Sequence, residues 1–159
     1  MRTKVRPMIA RDKPAVMQML QNLPEFKPAE VIVAEEVLDD YLHKSTGSGY
    51  HVFVAETDSS IVGYICYGPT PLTEGTWDIY WLAVAPNQQR KGIGKSLLTF
   101  AEINIKETSG KMVIIETSTR PEYEATGRFY GTQGYEIACR ITDFYATEDD
   151  KLILIKRLN

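Results

Sequence analysis

At 159 residues, with 43% apolar and 25% charged side chains, the chain matches a single domain, assigned to residues 1–159, that buries a core without disulfide or metal staples. Composition near the globular average excludes disorder, collagen-like repeats and coiled coil. A formal charge of −3 gives no default case for nucleic acid as a partner.

In chain order, residues 3–9 alternate as a first strand. Asp12 then reads as a helix N-cap, with Pro14 in the first turn where its missing N–H costs little. Val16, Met17, Met19, Leu20 and Leu23 give that helix an apolar face up to Pro24. A second helix is predicted from Ala29 to Lys44, with Val31, Ile32, Leu38, Tyr41 and Leu42 inward. Its acids Glu30, Glu35, Glu36, Asp39 and Asp40 read as a solvated face.

His51–Glu56 and Ile61–Tyr67 form a hairpin about the turn Thr57-Asp58-Ser59-Ser60. Thr76–Ala85 is the most strand-like segment, and its end is nearly continuous in apolar character, as a strand buried on both faces requires. From Gly92 to Glu107 the residues Ile93, Leu97, Leu98, Ala101 and Ile105 recur at helical spacing. Met112–Glu116 is a strand, Pro121–Thr132 a helix, and Tyr135–Thr142 and Leu152–Leu158 two closing strands. The order β-α-α-β-β-β-α-β-α-β-β predicts an α/β (α+β) domain. Its mixed central sheet has six to seven strands and helices on both faces, with Thr76–Ala85 and Met112–Glu116 parallel through a right-handed crossover.

Cys66 and Cys139 lie far apart, form no metal-ligand spacing and read as buried free thiols. No metal site is expected. No apolar run approaches the roughly 20 residues of a membrane span, and the basic N-terminus lacks the apolar stretch of a signal peptide. A reducing cytoplasmic location, away from membranes, is expected. His43 and His51 sit in no motif and read as structural.

The segment Val84–Ser96 carries the chemistry. It joins a buried strand directly to a helix, and Arg90, Lys91 and Lys95 crowd around Gly92 and Gly94 at the helix start, the end where cations are normally disfavoured. Unsatisfied N–H groups, a glycine that admits close approach and extra cations together suit a phosphate. Gly94-Lys95-Ser96 resembles the end of a Walker A loop, but Gln89 stands where that motif needs glycine. A dinucleotide fingerprint beginning at Gly92 needs glycine where Leu97 stands.

Gln89-x-x-Gly92-x-Gly94 instead resembles the acyl-CoA pyrophosphate loop of the GNAT superfamily of N-acetyltransferases, with Trp81-Leu82-Ala83-Val84 before it and a helix after it. Phe129-Tyr130-x-x-x-Gly134-Tyr135 looks like a second signature of that family, and the element order matches over nearly the whole chain. Two positions depart. Tyr123 and Thr126 stand where the family often has Asn and Ala, and the Asn usually contacts the pantetheine arm or nearby backbone.

The resemblance implies a sheet splayed between its fourth and fifth strands and direct acetyl transfer from acetyl-CoA, as co-substrate, to a primary amine of a small molecule, amino acid or peptide. Leu82, Ala83 and Val84 would hold the pantetheine arm, and Gln89, Arg90, Lys91, Gly92, Ile93, Gly94, Lys95 and Ser96 the pyrophosphate. Tyr130 would be the general acid to the departing sulfur. For the base, Asp78 is the first candidate, because strand period 2 would put Asp78, Tyr80 and Leu82 on one face. Glu116 is the second, and either could act through water. Trp77, Tyr80, Trp81, Phe144 and Tyr145 line the acceptor site or else belong to the core. A homodimer is one expectation for the assembly. The competing reading is an acyl-CoA-binding sensor or interaction domain without catalysis.

Overall fold

The computed structural model describes residues 2–44 and 47–159. Among these residues seven strands form one sheet in the order β1-β2-β3-β4-β5-β7-β6. They are β1 Thr3–Pro7, β2 His51–Thr57, β3 Ser60–Pro69, β4 Thr76–Val84, β5 Met112–Ser118, β6 Glu136–Ala146 and β7 Asp149–Arg157. Helices α1 Lys13–Gln21 and α2 Pro28–His43 bury Val16, Leu20, Ala34 and Leu38 against Val52, Val54, Tyr64 and Cys66 of one sheet face. Helix α3 Ile93–Glu107 packs Leu97, Leu98, Ala101 and Ile105 on the opposite face. Helix α4 Glu124–Thr132 joins it there through Tyr130. The predicted order, the sheet and the parallel crossover from β4 to β5 all hold.

Several local expectations change. The first strand ends at Pro7 rather than residue 9. Asp12 is 4% exposed and does not cap α1. Its carboxylate accepts from Arg6 Nη1 at 2.7 Å, from Arg6 Nη2 at 3.0 Å and from the Ile9 N–H at 2.9 Å. A buried acid is stable there because a guanidinium and an N–H replace its water. Ile32, expected inward, is 59% exposed, since the apolar stripe of α2 is centred on Val31, Ala34 and Leu38. The acids of α2 are less solvated than expected: Glu35 and Asp39 pair with Lys13, and Asp40 with Lys44. Cys66 is buried, but Cys139 is exposed because β6 is an edge strand with no helix over it. The segment Pro121–Thr132 opens as a short 3-10 turn before α4 begins.

The feature that positions the site is an irregularity in β4. Cys66 pairs with Trp81 but Tyr67 pairs with Ile79, so Tyr80 is an extra, bulged residue. A bulge bends its strand and resets the alternation of side chains. Ile79 therefore faces the α3 side, while beyond the bulge Leu82 and Val84 face that side and Trp81 and Ala83 face the α1–α2 side. Pairing of β4 with β5 runs from Thr76↔Met112 to Ile79↔Ile115 and stops at the bulge. Strand β5 continues along β7 as far as Ser118↔Lys151, so the sheet splays between β4 and β5. Among the described residues no helix is long and apolar enough to cross a membrane, and no group of three or more His, Cys, Asp or Glu side chains could hold a metal ion.

Candidate functional site

A cavity of about 610 Å³ opens over the β4–α3 junction, lined by Leu82, Ala83, Val84, Gln89, Arg90, Gly92, Ile93, Gly94, Lys95, Phe129 and Tyr130 among others. The loop that builds it is locally determined. Pro86–Gln88 makes a single 3-10 turn after β4, and Gln89 Nε2 donates to Val84 O at 3.2 Å, folding the loop back over the strand end. Arg90 and Gly92 take positive φ of 64° and 80°, which turns the chain into α3. At Gly92 a Cβ would meet nothing within 4 Å, so the backbone faces open cavity. At Gly94 a Cβ would sit 3.4 Å from Phe129 Cζ, an ordinary van der Waals contact between α3 and the aromatic ring of α4.

Two of the residues assigned to phosphate lie off the lining. Lys91 Nζ donates to Gln88 Oε1 at 3.2 Å, and the Ser96 hydroxyl donates to Gly92 O at 3.0 Å within α3. Arg128, which the motif does not reach, joins the wall from α4.

A second cavity of about 310 Å³ lies on the other side of the splay. Glu25, Leu82, Thr126 and Tyr130 line both, so the two meet where β4 leaves β5. Tyr130 is buried, with its ring edge-on to Phe129 at 5.3 Å and to Tyr135 at 5.5 Å between centroids. Burial pushes its phenol well above the ordinary tyrosine value, so it stays protonated at neutral pH. Tyr130 lines both cavities, which puts its phenol within reach of a group bound at their junction.

Carboxylates dominate the second wall: Glu25, Glu30, Glu116 and Asp149, against Lys27 and Arg120. Glu116 is 52% exposed and pairs with Lys151 at 3.1 Å. Arg120 lies within 4 Å of three acids, Glu30, Glu122 and Asp149, and stacks over the Tyr123 ring. The Tyr123 hydroxyl donates to Glu25 O at 2.7 Å and lies 3.1 Å from Glu30 Oε2. Burial and Glu30 together raise that phenol. The position where the family often has Asn thus holds a strut from the start of α4 to the loop between α1 and α2.

Asp78 is not brought to either cavity. It pairs in register with Ile114, inside the closed part of the sheet, and accepts from the Thr70 hydroxyl at 2.6 Å. The alternation that grouped it with Leu82 fails because Tyr80 is bulged between them. Tyr80, Trp81 and Tyr145 line the second cavity. Trp77 instead packs against the main core, and Phe144 is exposed under Lys151. Burial and nearby Asp78 raise the Tyr80 phenol to about 12. His51 stacks on Tyr67, and partial burial lowers its pKa. Sequence patterning did not find Glu25, Thr117 or Arg120; they reach the site only through tertiary packing.

Residues 48–137 match the family model described as acetyltransferase (GNAT) domain. A solved GNAT-family structure from Desulfovibrio desulfuricans is 36% identical, with a TM-score of 0.94 over 98% of this chain and 99% of that one. The ribosomal-protein-S18-alanine N-acetyltransferase of Escherichia coli shares the fold at 17% identity, with a TM-score of 0.78 over 99% of this chain and 95% of that one. So does the PaiA N-acetyltransferase of Thermoplasma acidophilum, solved with coenzyme A, at 16% identity and a TM-score of 0.78 over 99% of this chain and 100% of that one. No curated protein matches the sequence at a significant level.

Proposed function

This chain belongs to the GNAT family of acetyltransferases, and we propose that it moves an acetyl group from acetyl-CoA directly to a primary amine of a small molecule, amino acid or peptide. The observation that carries this reading is the meeting of two unlike cavities at Leu82 and Tyr130. One is built from a glycine-rich helix start with Arg90, Lys95 and Arg128, the other from four carboxylates. The first suits a pyrophosphate, and the second suits a cationic amine.

Acetyl-CoA supplies the acyl group as a thioester. The open face at Gly92 and the cations around it fit its phosphates. Between Tyr80 and Val84 the edge of β4 turned toward β5 has no strand partner, so its backbone groups are available to the amide-bearing arm of the cofactor. An aliphatic ammonium is mostly charged at neutral pH and must lose a proton before it attacks. Glu116 lines the acceptor cavity and is assigned that proton, directly or through water. Asp78 is not, because it opens on neither cavity.

Glu116 passes that first proton to water. The amine nitrogen then bonds to the thioester carbon and gives its second proton to Glu116. The carbon–sulfur bond breaks, and sulfur takes the proton of Tyr130 Oη, which solvent restores. The products are an amide and the free thiol of coenzyme A. The test is to incubate the protein with acetyl-CoA and a panel of primary amines while detecting free thiol. The panel is an aliphatic monoamine, 1,4-diaminobutane, an aminoglycoside and a peptide with a free alanine N-terminus. Amine-dependent thiol release is expected. Tight coenzyme A binding without thiol release for any amine would favour a non-catalytic acyl-CoA sensor instead.

A further inference from the structure

Four consecutive polar side chains, Glu116 to Thr119, leave the sheet where β4 and β5 part. Three of them are engaged. Glu116 pairs with Lys151 at 3.1 Å, and Ser118 Oγ bonds Asp149 and accepts from the Arg120 N–H at 3.0 Å. Thr119 Oγ1 accepts from the Asp150 N–H at 2.8 Å. Thr117 differs: it is 5% exposed, and its hydroxyl is buried with no hydrogen-bond partner among the described residues. An orphaned buried hydroxyl destabilises a fold, and valine fills nearly the same space without that cost.

The place of this hydroxyl is informative. Thr117 alternates with Val113 and Ile115, which face the core that holds Tyr130, and its cross-strand partner is Leu152 of β7. Its other flank is the gap where β4 no longer pairs with β5. Thr117 lines the acid-walled cavity and not the glycine-rich one, whereas Tyr130 lines both. Among the described residues two other buried side-chain polar atoms lack hydrogen bonds, and each has a different setting. Tyr64 Oη lies in the α1–α2 core away from both cavities, and Arg120 Nε is 3.5 Å from a carboxylate oxygen of Asp149.

We propose that Thr117 is a specificity-determining contact for the acceptor, its Oγ1 accepting one N–H of the attacking amine beside the thioester. The inference rests on the acetyl-transfer reading given above. It implies a substrate restriction. A neutral primary amine carries two hydrogens. One stays on Thr117 and remains in the amide product, and the other leaves to the base once the carbon–nitrogen bond has formed. An N-methyl secondary amine has one hydrogen, which must go to the base, and so leaves Thr117 unpaired.

The experiment compares wild type, Thr117→Val and Thr117→Ser. Measured are coenzyme A affinity, thermal midpoint, and kcat/KM for each amine of the panel and its N-methyl counterpart. For Thr117→Val the expected result is unchanged coenzyme A affinity and an equal or higher midpoint, with kcat/KM for primary amines lower by about ten-fold. The preference for primary over N-methyl amines should narrow by a similar factor, and Thr117→Ser should restore it. A Thr117→Val enzyme with wild-type kcat/KM and wild-type preference overturns the proposal while leaving acetyl transfer intact. So does a clear fall in the midpoint, which would mean the hydroxyl makes a structural hydrogen bond, or a failure of Thr117→Ser to restore the preference. A wild-type protein that releases no thiol with any amine overturns the acetyl-transfer reading, and this inference with it.

Discussion

Replacing Gly92 with aspartate should abolish most coenzyme A binding, and the size of the loss follows from the geometry of the loop. Gly92 sits at φ 80°, and a Cβ there would meet no heavy atom within 4 Å. Alanine therefore brings no clash, only the strain of a left-handed backbone, about 1 kcal/mol in fold stability. Aspartate brings the same strain plus a negative charge over the cavity that carries Arg90 and Lys95. A carboxylate about 6 Å from one phosphate charge, at an effective dielectric of about 20, costs about 3 kcal/mol. That is roughly a hundred-fold in affinity. Titration calorimetry with coenzyme A on Gly92→Ala and Gly92→Asp isolates this charge effect, since both variants share the strain. The gap between them should shrink at high salt, because the site is open to solvent on one side. Equal affinities for the two folded variants would refute the placement of phosphate at this helix start.

Tyr130→Phe should lower kcat by about a hundred-fold or more while coenzyme A affinity stays within a few-fold, because only the proton for the departing sulfur is lost; wild-type turnover would remove Tyr130 from the mechanism. Asp12→Asn should destabilise the fold by about 2–3 kcal/mol, since the mostly buried Arg6 keeps Glu56 but loses its two-point partner. The arginine holds the Asp12 carboxyl below its usual range, so that stabilisation is complete above the unfolded pKa of about 4 and is lost as pH falls through the folded value. Denaturant titrations between pH 3 and 7 should therefore show a shallower acid-side decline in Asp12→Asn than in wild type. With an aromatic disulfide reagent, Cys139 should react in the native protein and Cys66 only after unfolding, because Cys66 is buried and burial raises its thiol pKa. Two fast equivalents in the native state would contradict that.

What could be read from the chain divides along physical lines. The helices and strands follow hydrophobic period, and the phosphate loop is contiguous, so spacing alone places Gln89, Gly92 and Gly94 together. The acid-walled cavity is different. Glu25 arrives from the α1–α2 loop, Glu116 and Thr117 from the free end of β5, and Asp149 from the start of β7, more than a hundred residues after Glu25. No local pattern marks such a convergence. Asp78 shows the sharper failure. Period 2 is sound for an unbroken strand, and Thr76–Ala85 looks unbroken, yet the extra residue at Tyr80 reverses every face beyond it. Cys139 departs from its local pattern for a related reason: its apolar neighbours suit a buried strand, but β6 is the sheet edge and the thiol is exposed.

The bulge at Tyr80 also links the parts of the site to one another. A strand that kept its register past Ile79 would go on pairing with Glu116, Thr117 and Ser118, closing the gap and covering the hydroxyl of Thr117. By inserting one residue, β4 bends away from β5 and leaves its own edge from Tyr80 to Val84 without a strand partner. It also turns Leu82 toward the face that holds Tyr130. Strand β5 keeps β7 as its neighbour, so its free end stays paired as far as Ser118. One local departure from regular pairing thus provides an open edge for a cofactor arm, a cavity for an amine and a protonated phenol at their junction. The backbone hydrogen bonds forgone by β4 over those residues are the groups that an amide-bearing ligand can satisfy.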